Sequence, residues 1–474
     1  MFYRLFRAVA RVALHLFFRR LEVEGAERVP PTGPVLFVPN HTNALVDPLV
    51  LMVSTERRVT LTAKHVLARN PLLGILMWGL GVVPFHRRQD AARTAELRLN
   101  VRSLERCQGI LADGGAICIF PEGASHSDPT LRPFRKGPAR VALDFARQNG
   151  NIGSLTIVPV GLLYTEKDRF RSGVWLRFGA GIDVRAWSAE HPGADARLLT
   201  DEIRRRVEAL TLNYKRRREP AVLSWAAEIV ATGGTAPPPL GSREPSAAEW
   251  FRLVCRLQAG YRALLECRPE DMEALSARIR ACRRELRRRG IRACEVYLPM
   301  HAGPALLFII REAELLLVGL PLALFGILNH LVPVSIVRWI ARATSRDKDQ
   351  WASNTVYPGV IVFALFYACQ LSLAWWLLPA LWAALYTIAL PYTGYHALLY
   401  RDRALGVIVR VRAFVGFLVD RGSQERLALE GRKIISRIVE LDRWLKTAGS
   451  GTPSATSAAP VLQVPRALRM SPGR

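Results

Sequence analysis

Val35-Leu36-Phe37-Val38-Pro39-Asn40-His41-Thr42-Asn43-Ala44-Leu45-Val46-Asp47-Pro48 joins an apolar run to a polar turn that holds a histidine and a carboxylate. The run predicts a buried strand, and the turn sets both titratable groups at its end. A histidine there can act as a general base near neutral pH, while a carboxylate fixes its tautomer and stabilises the imidazolium formed when it takes a proton. A plainer role also fits, with Asn40 or Asp47 capping the next helix. In isolation the pair favours the plainer role.

Outward from this stretch, residues 34 to 218 alternate short apolar runs (Val35–Val38, Val59–Ala63, Gly81–Phe85, Ile117–Phe120, Leu155–Leu163, Val174–Phe178) with helical stretches near 70–80, 90–113 and 136–149. This alternation predicts an α/β fold, a mixed sheet flanked by helices, with polar motifs at strand ends where sites in open sheets form. Three more such ends carry chemistry. Gly81-Val82-Val83-Pro84-Phe85-His86-Arg87-Arg88 ends in two guanidinium groups, whose forked donors match phosphate oxygens. Phe120-Pro121-Glu122-Gly123 sets a carboxylate beside a glycine that lets the backbone approach a ligand, and Lys136 follows at a helix start where an anion can bind. Val158-Pro159 interrupts a strand and suggests an edge or a bulge. Each block alone can be ordinary turn chemistry, but four in this order cannot easily be so dismissed.

Taken together, the blocks resemble the glycerophospholipid acyltransferase family, which includes lysophosphatidate and glycerol-3-phosphate acyltransferases. Asn40, His41, Asp47 and Pro48 match its first block, and Gly81, Pro84 and Arg87 its second. Phe120 to Gly123 match the third, and Val158 with Pro159 the fourth. The resemblance covers roughly residues 20–215. It implies His41 as general base oriented by Asp47, and Arg87 holding an acceptor phosphate with Glu122 and Gly123 shaping that site. Asn40, Gly81, Arg88, Phe120, Pro121 and Lys136 join the binding surface, and Pro159 belongs to the acyl side. It further implies a fatty acyl thioester of coenzyme A or acyl carrier protein as donor, glycerol-3-phosphate or 1-acyl-glycerol-3-phosphate as acceptor, and no separate cofactor. Another lysolipid acceptor is the alternative.

Two departures stand out. Five residues, Thr42 to Val46, separate His41 from Asp47 where the family commonly has four, a spacing that looks like the glycerol-3-phosphate and dihydroxyacetone-phosphate branch. On one straight helix that separation would turn the two side chains about 240° apart, so a loop must bring them together. The family's Gly-Thr-Arg-Ser is here Gly123-Ala124-Ser125-His126, which shifts phosphate recognition toward Arg87, Arg88 and Lys136. Direct transfer without an acyl-enzyme is expected, because the chain has no Gly-x-Ser-x-Gly elbow and Cys118 lies mid-strand.

Lys and Arg number 66 against 40 Asp and Glu, a net charge of +26, which calls for a polyanionic partner. The apolar run from Val356 to Leu399 favours an anionic membrane surface over nucleic acid. A non-catalytic anionic-membrane-binding protein would explain the charge and the apolar segments, but not the four blocks. The seven cysteines form no Cys-x-x-Cys pair, and His41, Asp47, His86 and Glu122 lack metal-motif spacing, so reduced thiols and no metal are expected.

Residues 1–20 read as an interfacial amphipathic helix or, equally, as a first helix packed on the domain. The acyltransferase domain is expected over 21–218, a linker over 219–247 and a helical region over 248–300. Membrane-associated segments are expected over 301–400, with a re-entrant or interfacial Leu315–Leu331 and a spanning hairpin over 356–398. An amphipathic helical region (401–447) and a disordered tail (448–474) complete the chain. Basic residues flanking the hairpin, among them Arg338, Arg342, Arg401 and Arg403, place the catalytic domain on the cytoplasmic side.

Overall fold

The computed structural model describes residues 1–86, 93–148, 153–214, 219–233, 246–298 and 302–449. They belong to two units, Met1–Lys215 with Ile336–Val362, and Arg216–Ser335 with Phe363–Arg474. In chain order the first unit contains α1 (Phe2–Phe17), β1 (Arg20–Glu24), β2 (Val35–Pro39), α2 (Val46–Ser54), β3 (Val59–Lys64), α3 (Pro71–Leu80), β4 (Val83–Phe85) and α4 (Arg93–Ala112). It continues with β5 (Ala116–Cys118), α5 (Gly137–Gln148), β6 (Thr156–Tyr164), β7 (Gly173–Phe178), β8 (Ile182–Asp183), α6 (Val184–Glu190) and α7 (Ala196–Leu210).

The strands form one mixed eight-stranded sheet in the order β1-β7-β6-β2-β5-β3-β4, with β8 paired to β6. β2 is buried at all five positions. Val35 and Phe37 enter one core cluster while Leu36 and Val38 enter the other, so its uninterrupted apolar run is what a strand covered on both faces requires. β2, β3, β4, β5 and β6 run parallel through successive pairings. Their C-terminal ends therefore share one edge of the sheet.

Pro159 does not sit in an edge strand, because β6 lies inside the sheet between β2 and β7. Ile157 pairs with Ile182 of β8, and Val160 pairs with Phe178 of β7. The proline thus falls where the neighbouring chain leaves one ladder and enters the other, and a missing N–H costs no bond there. Its carbonyl accepts the Gly179 N–H at 2.8 Å.

Helix α1 packs on the domain with one face, as the second of the two readings has it. Tyr3, Ala10, Leu14 and Phe17 enter the core. The helix is apolar on a second face as well, where Phe2, Leu5, Val9, Val12 and Leu16 are exposed. Gly79 of α3 allows Phe2 to pack there, since a Cβ on it would lie 2.6 Å from the Phe2 ring.

The second unit is helical. α8 (Glu219–Thr232) occupies half of the expected linker, because Val222, Leu223, Ala226, Ala227 and Ile229 form an apolar face that is buried. α9 (Ala247–Cys267) begins at a Ser246/Glu249 capping box, and α10 (Pro269–Arg289) starts on the proline that divides the two. α11 (Ala302–Thr344) runs unbroken through Pro321 and Pro333, so Leu315–Leu331 is part of one continuous helix. α12 (Lys348–Leu377) and α13 (Ala380–Val419) are divided at Pro379, and α14 (Arg421–Gly449) follows. By length and apolarity, two helical segments among the described residues could cross a membrane: Ile310–Thr344 and Lys348–Leu377. Lys348–Leu377 contains the first arm of the expected hairpin, whereas the second arm is not among them, since Pro391, Tyr392, Thr393 and His396 dilute the apolar run of α13. The expected tail beyond residue 449 lies outside the described residues, as do residues 234–245 of the linker.

Candidate active site

The end of β2 is pinned to β6 by one amide. Asn40 accepts the Leu162 N–H at 2.7 Å and donates to the Leu162 carbonyl at 3.0 Å, so its side chain extends the ladder one residue past the strand. Although expected on the binding surface, Asn40 is buried and both halves of its amide are occupied. Next in the chain, His41 leaves the sheet edge. Its backbone N–H donates to Glu122 Oε1 at 2.7 Å, and its ring stacks on Phe120 with centroids 4.1 Å apart.

Asp47 is the second residue of α2, and the chain between it and His41 folds back on itself. The Asn43 carbonyl accepts the N–H groups of Val46 and Asp47, and Ala44 takes φ 29°, a value uncommon for a residue with a side chain. This turn replaces the straight-helix geometry that would have kept the two side chains apart. Asp47 is fully buried. Its Oδ2 accepts from His41 Nδ1 at 2.9 Å, Thr42 N at 2.7 Å and Asn43 N at 2.8 Å, and its Oδ1 accepts the Tyr164 hydroxyl at 2.6 Å. With Nδ1 donating to the carboxylate, His41 presents Nε2 as a proton acceptor. Burial, and then the Asp47 charge, push the Tyr164 hydroxyl well above the ordinary phenol range, so it remains a donor.

Glu122 fixes the backbone around His41. Besides the His41 N–H, its carboxylate accepts the Arg132 N–H at 2.8 Å and a bond from His126 Nε2, while His126 Nδ1 accepts the Asp128 N–H at 3.1 Å. A carboxylate committed to two backbone groups and a buried imidazole builds the floor under His41. Gly123 sits at φ 69°, and a Cβ there would lie 2.6 Å from Arg135 Nε. Pro121 is buried and its carbonyl accepts the Arg135 N–H.

Lys167, just beyond β6, ties two blocks together by donating to the carbonyls of Thr42 and His126, each at 3.0 Å. Burial pulls its pKa down, while Asp349, Asp47, Asp168 and Asp128 oppose the shift. Tyr164, His126 and Lys167 escaped sequence reasoning. Tyr164 carried a signal, since it ends an apolar strand at the same sheet edge as His41; the other two did not.

Gly81, at φ 71°, makes the turn from α3 into the edge strand β4, which carries Pro84. The parallel register puts the end of β4 on the same edge as His41, and the His86 ring stacks on His65 there. Arg87 and Arg88 lie outside the described residues. Lys136 is exposed before α5, where its charge helps hold the Asp195 carboxyl below the usual range, after the stronger effect of the Leu198 N–H. Among the described residues, no group of three or more His, Cys, Asp or Glu side chains is arranged to hold a metal ion.

A histidine with an open nitrogen, backed by a buried carboxylate at the carboxyl edge of parallel strands, is an arrangement that can take up a proton from a bound hydroxyl. Residues 20–163, the segment that holds all four blocks, match the family model described as Acyltransferase. A 1-acyl-sn-glycerol-3-phosphate acyltransferase from Borreliella burgdorferi is 26% identical over 44% of this chain and 79% of its own length. Glycerol-3-phosphate O-acyltransferase 1 of Saccharomyces cerevisiae is 25% identical over 36% of this chain and 33% of its own. Several further curated relatives are likewise spanned over only 38% to 55% of their length. Among solved structures, the 1-acyl-sn-glycerophosphate acyltransferase PlsC from Thermotoga maritima is similar over 44% of this chain and 77% of its own, with 20% identity and a TM-score of 0.34.

The Asn40 bridge can be tested without substrate. Asn40→Ala strands a buried N–H and a buried carbonyl of Leu162, each worth about 1–3 kcal/mol, and is expected to lower the midpoint of thermal unfolding. An unchanged midpoint would remove Asn40 from its structural role.

Proposed function

We propose that this protein transfers a fatty acyl group from an acyl thioester to a hydroxyl of glycerol-3-phosphate or 1-acyl-glycerol-3-phosphate, working at an anionic membrane surface with its catalytic unit on the cytoplasmic side. The observation that carries the reading is the His41–Asp47 pair, held at 2.9 Å inside the segment that matches the acyltransferase family. His41 Nε2 takes the proton from the acceptor hydroxyl, and the oxygen attacks the thioester carbonyl. The carbon–sulfur bond then breaks, and the proton on His41 passes to the leaving thiolate. Coenzyme A or acyl carrier protein carries the acyl group as co-substrate, and no further cofactor is required. Relatives named for each of the two acceptors support both, and the five-residue spacing favours glycerol-3-phosphate.

His41→Ala removes the base and is expected to lower kcat by about 10²–10⁴-fold while the protein still folds and binds vesicles. Full activity in the purified variant would end the assignment. Arg87→Ala is expected chiefly to raise the KM for the phosphorylated acceptor, since a lost forked donor weakens binding before it weakens chemistry. An unchanged acceptor KM would take Arg87 out of the site.

Membrane association is supported by the exposed stripe of α1, together with Ile75 and Trp78 of α3, which are 67% and 86% exposed. An apolar face set among arginines on a chain of net charge +26 suits a bilayer with anionic headgroups. Leu5→Glu combined with Val12→Glu is expected to speed hydrogen–deuterium exchange of residues 2–17 in phosphatidylglycerol vesicles, with the apolar helices Ile310–Thr344 and Lys348–Leu377 still holding the protein to them. Exchange equal to wild type would show that the stripe does not face lipid.

A further inference from the structure

Ile336–Val362, the end of α11 and the start of α12, belongs to the first unit although the family match ends at residue 163. Its inward face is buried with the core that holds α2: Ala352 and Val356 belong to that cluster, and Tyr357 packs against it. From this face three side chains reach the catalytic loops. Ser353 Oγ accepts the Leu45 N–H at 3.0 Å, the Tyr357 hydroxyl donates to the Leu45 carbonyl at 3.2 Å, and Asp349 Oδ2 accepts the Ser125 hydroxyl at 2.6 Å. Ser353 and Asp349 are themselves buried.

Leu45 occupies a sensitive place. It is the N-cap of α2, immediately before the turn that carries Asp47, and it follows Ala44 at φ 29°. A left-handed residue with a side chain costs free energy and persists only where its surroundings over-determine it. Asp47 fixes the loop from inside by accepting from Thr42 and Asn43, whereas both polar groups of Leu45 are held by side chains more than 300 positions away along the sequence. Asp349 does the same for the loop whose Glu122 receives the His41 N–H.

We infer that Ser353, Tyr357 and Asp349 are positioning residues for the His41–Asp47 pair, so that the first turns of α12 complete the active site of this chain. The inference rests on the catalytic reading proposed above. Helix α12 touches neither His41 nor Asp47 through these bonds; it sets the backbone that aims them. A small misplacement of a general base is costly, because the reaction depends on near-attack geometry.

The test uses the full-length protein in detergent or vesicles and two readouts. The double variant Ser353→Ala/Tyr357→Phe is expected to lower kcat by ~10–100-fold with the KM of donor and acceptor nearly unchanged, and Ser353→Thr, which keeps the hydroxyl, is expected to retain activity. Hydrogen–deuterium exchange of the peptide covering residues 41–47 should accelerate by about tenfold in the double variant, while exchange in β5 and β6 stays at the wild-type rate. This second readout needs no turnover. Should the wild-type protein transfer no acyl group, the proposed function fails, yet the exchange data still decide whether α12 holds the loop. Wild-type exchange across residues 41–47 in the folded double variant overturns the inference, whatever the activity. A wild-type kcat there overturns it equally.

Discussion

A single buried carboxylate organises the site. Asp47 has no exposure to solvent, and an isolated carboxylate at that depth would cost several kcal/mol of lost hydration. Four donors offset the cost, namely two backbone N–H groups, an imidazole and a phenol. Hydrogen bonds to a charged group contribute about 1.5–3 kcal/mol each, enough together to make the folded loop the state in which that charge is satisfied. The Thr42–Leu45 turn, the orientation of His41 and the placement of Tyr164 all follow from where those donors must stand. Catalytic geometry and local stability are therefore one constraint.

The sheet supplies the frame for that constraint. Parallel strands deliver His41, the Phe120–Gly123 turn, His86 and Tyr164 to the same edge, although they lie far apart in the sequence. Glu122 and Lys167 then bind the loops to one another through backbone atoms. The second ring of residues thus serves mainly to fix the backbone, which explains why Glu122 and Asn40 are turned inward rather than toward a substrate.

Much of this was legible in the amino-acid sequence, and the failures have physical causes. The uninterrupted run Val35–Val38 announced a strand covered on both faces, and ordered strand-end motifs announced the acyltransferase domain. The pairing of His41 with Asp47 could be inferred only as a requirement on the loop, because Ala44 at φ 29° has no compositional signal. The bonds of Asn40 and Glu122 to neighbouring backbone groups were not legible, because a polar residue at a strand end looks the same whether it faces a ligand or a neighbouring carbonyl. Of the two readings of Pro159 the edge strand failed, because an interrupted partner strand, which tolerates a missing N–H, is a tertiary fact. In the helical region, the continuity of α11 through Pro321 and Pro333 is not encoded in the distribution of charges that the membrane topology was read from. The approach of Ser353 and Tyr357 to Leu45 is a long-range contact that no local pattern encodes.

Asp47→Asn separates the charge of the carboxylate from its shape. The amide oxygen can still accept from His41, Thr42 and Asn43 while its NH₂ faces the Tyr164 oxygen, so the loop should keep its fold and its hydrogen-exchange protection. Without the negative charge, the imidazolium formed during proton transfer loses its stabilisation, and kcat for acyl transfer is expected to fall by about 10²–10⁴-fold. A folded Asp47→Asn protein that transfers acyl groups at the wild-type rate would contradict a catalytic His41–Asp47 pair.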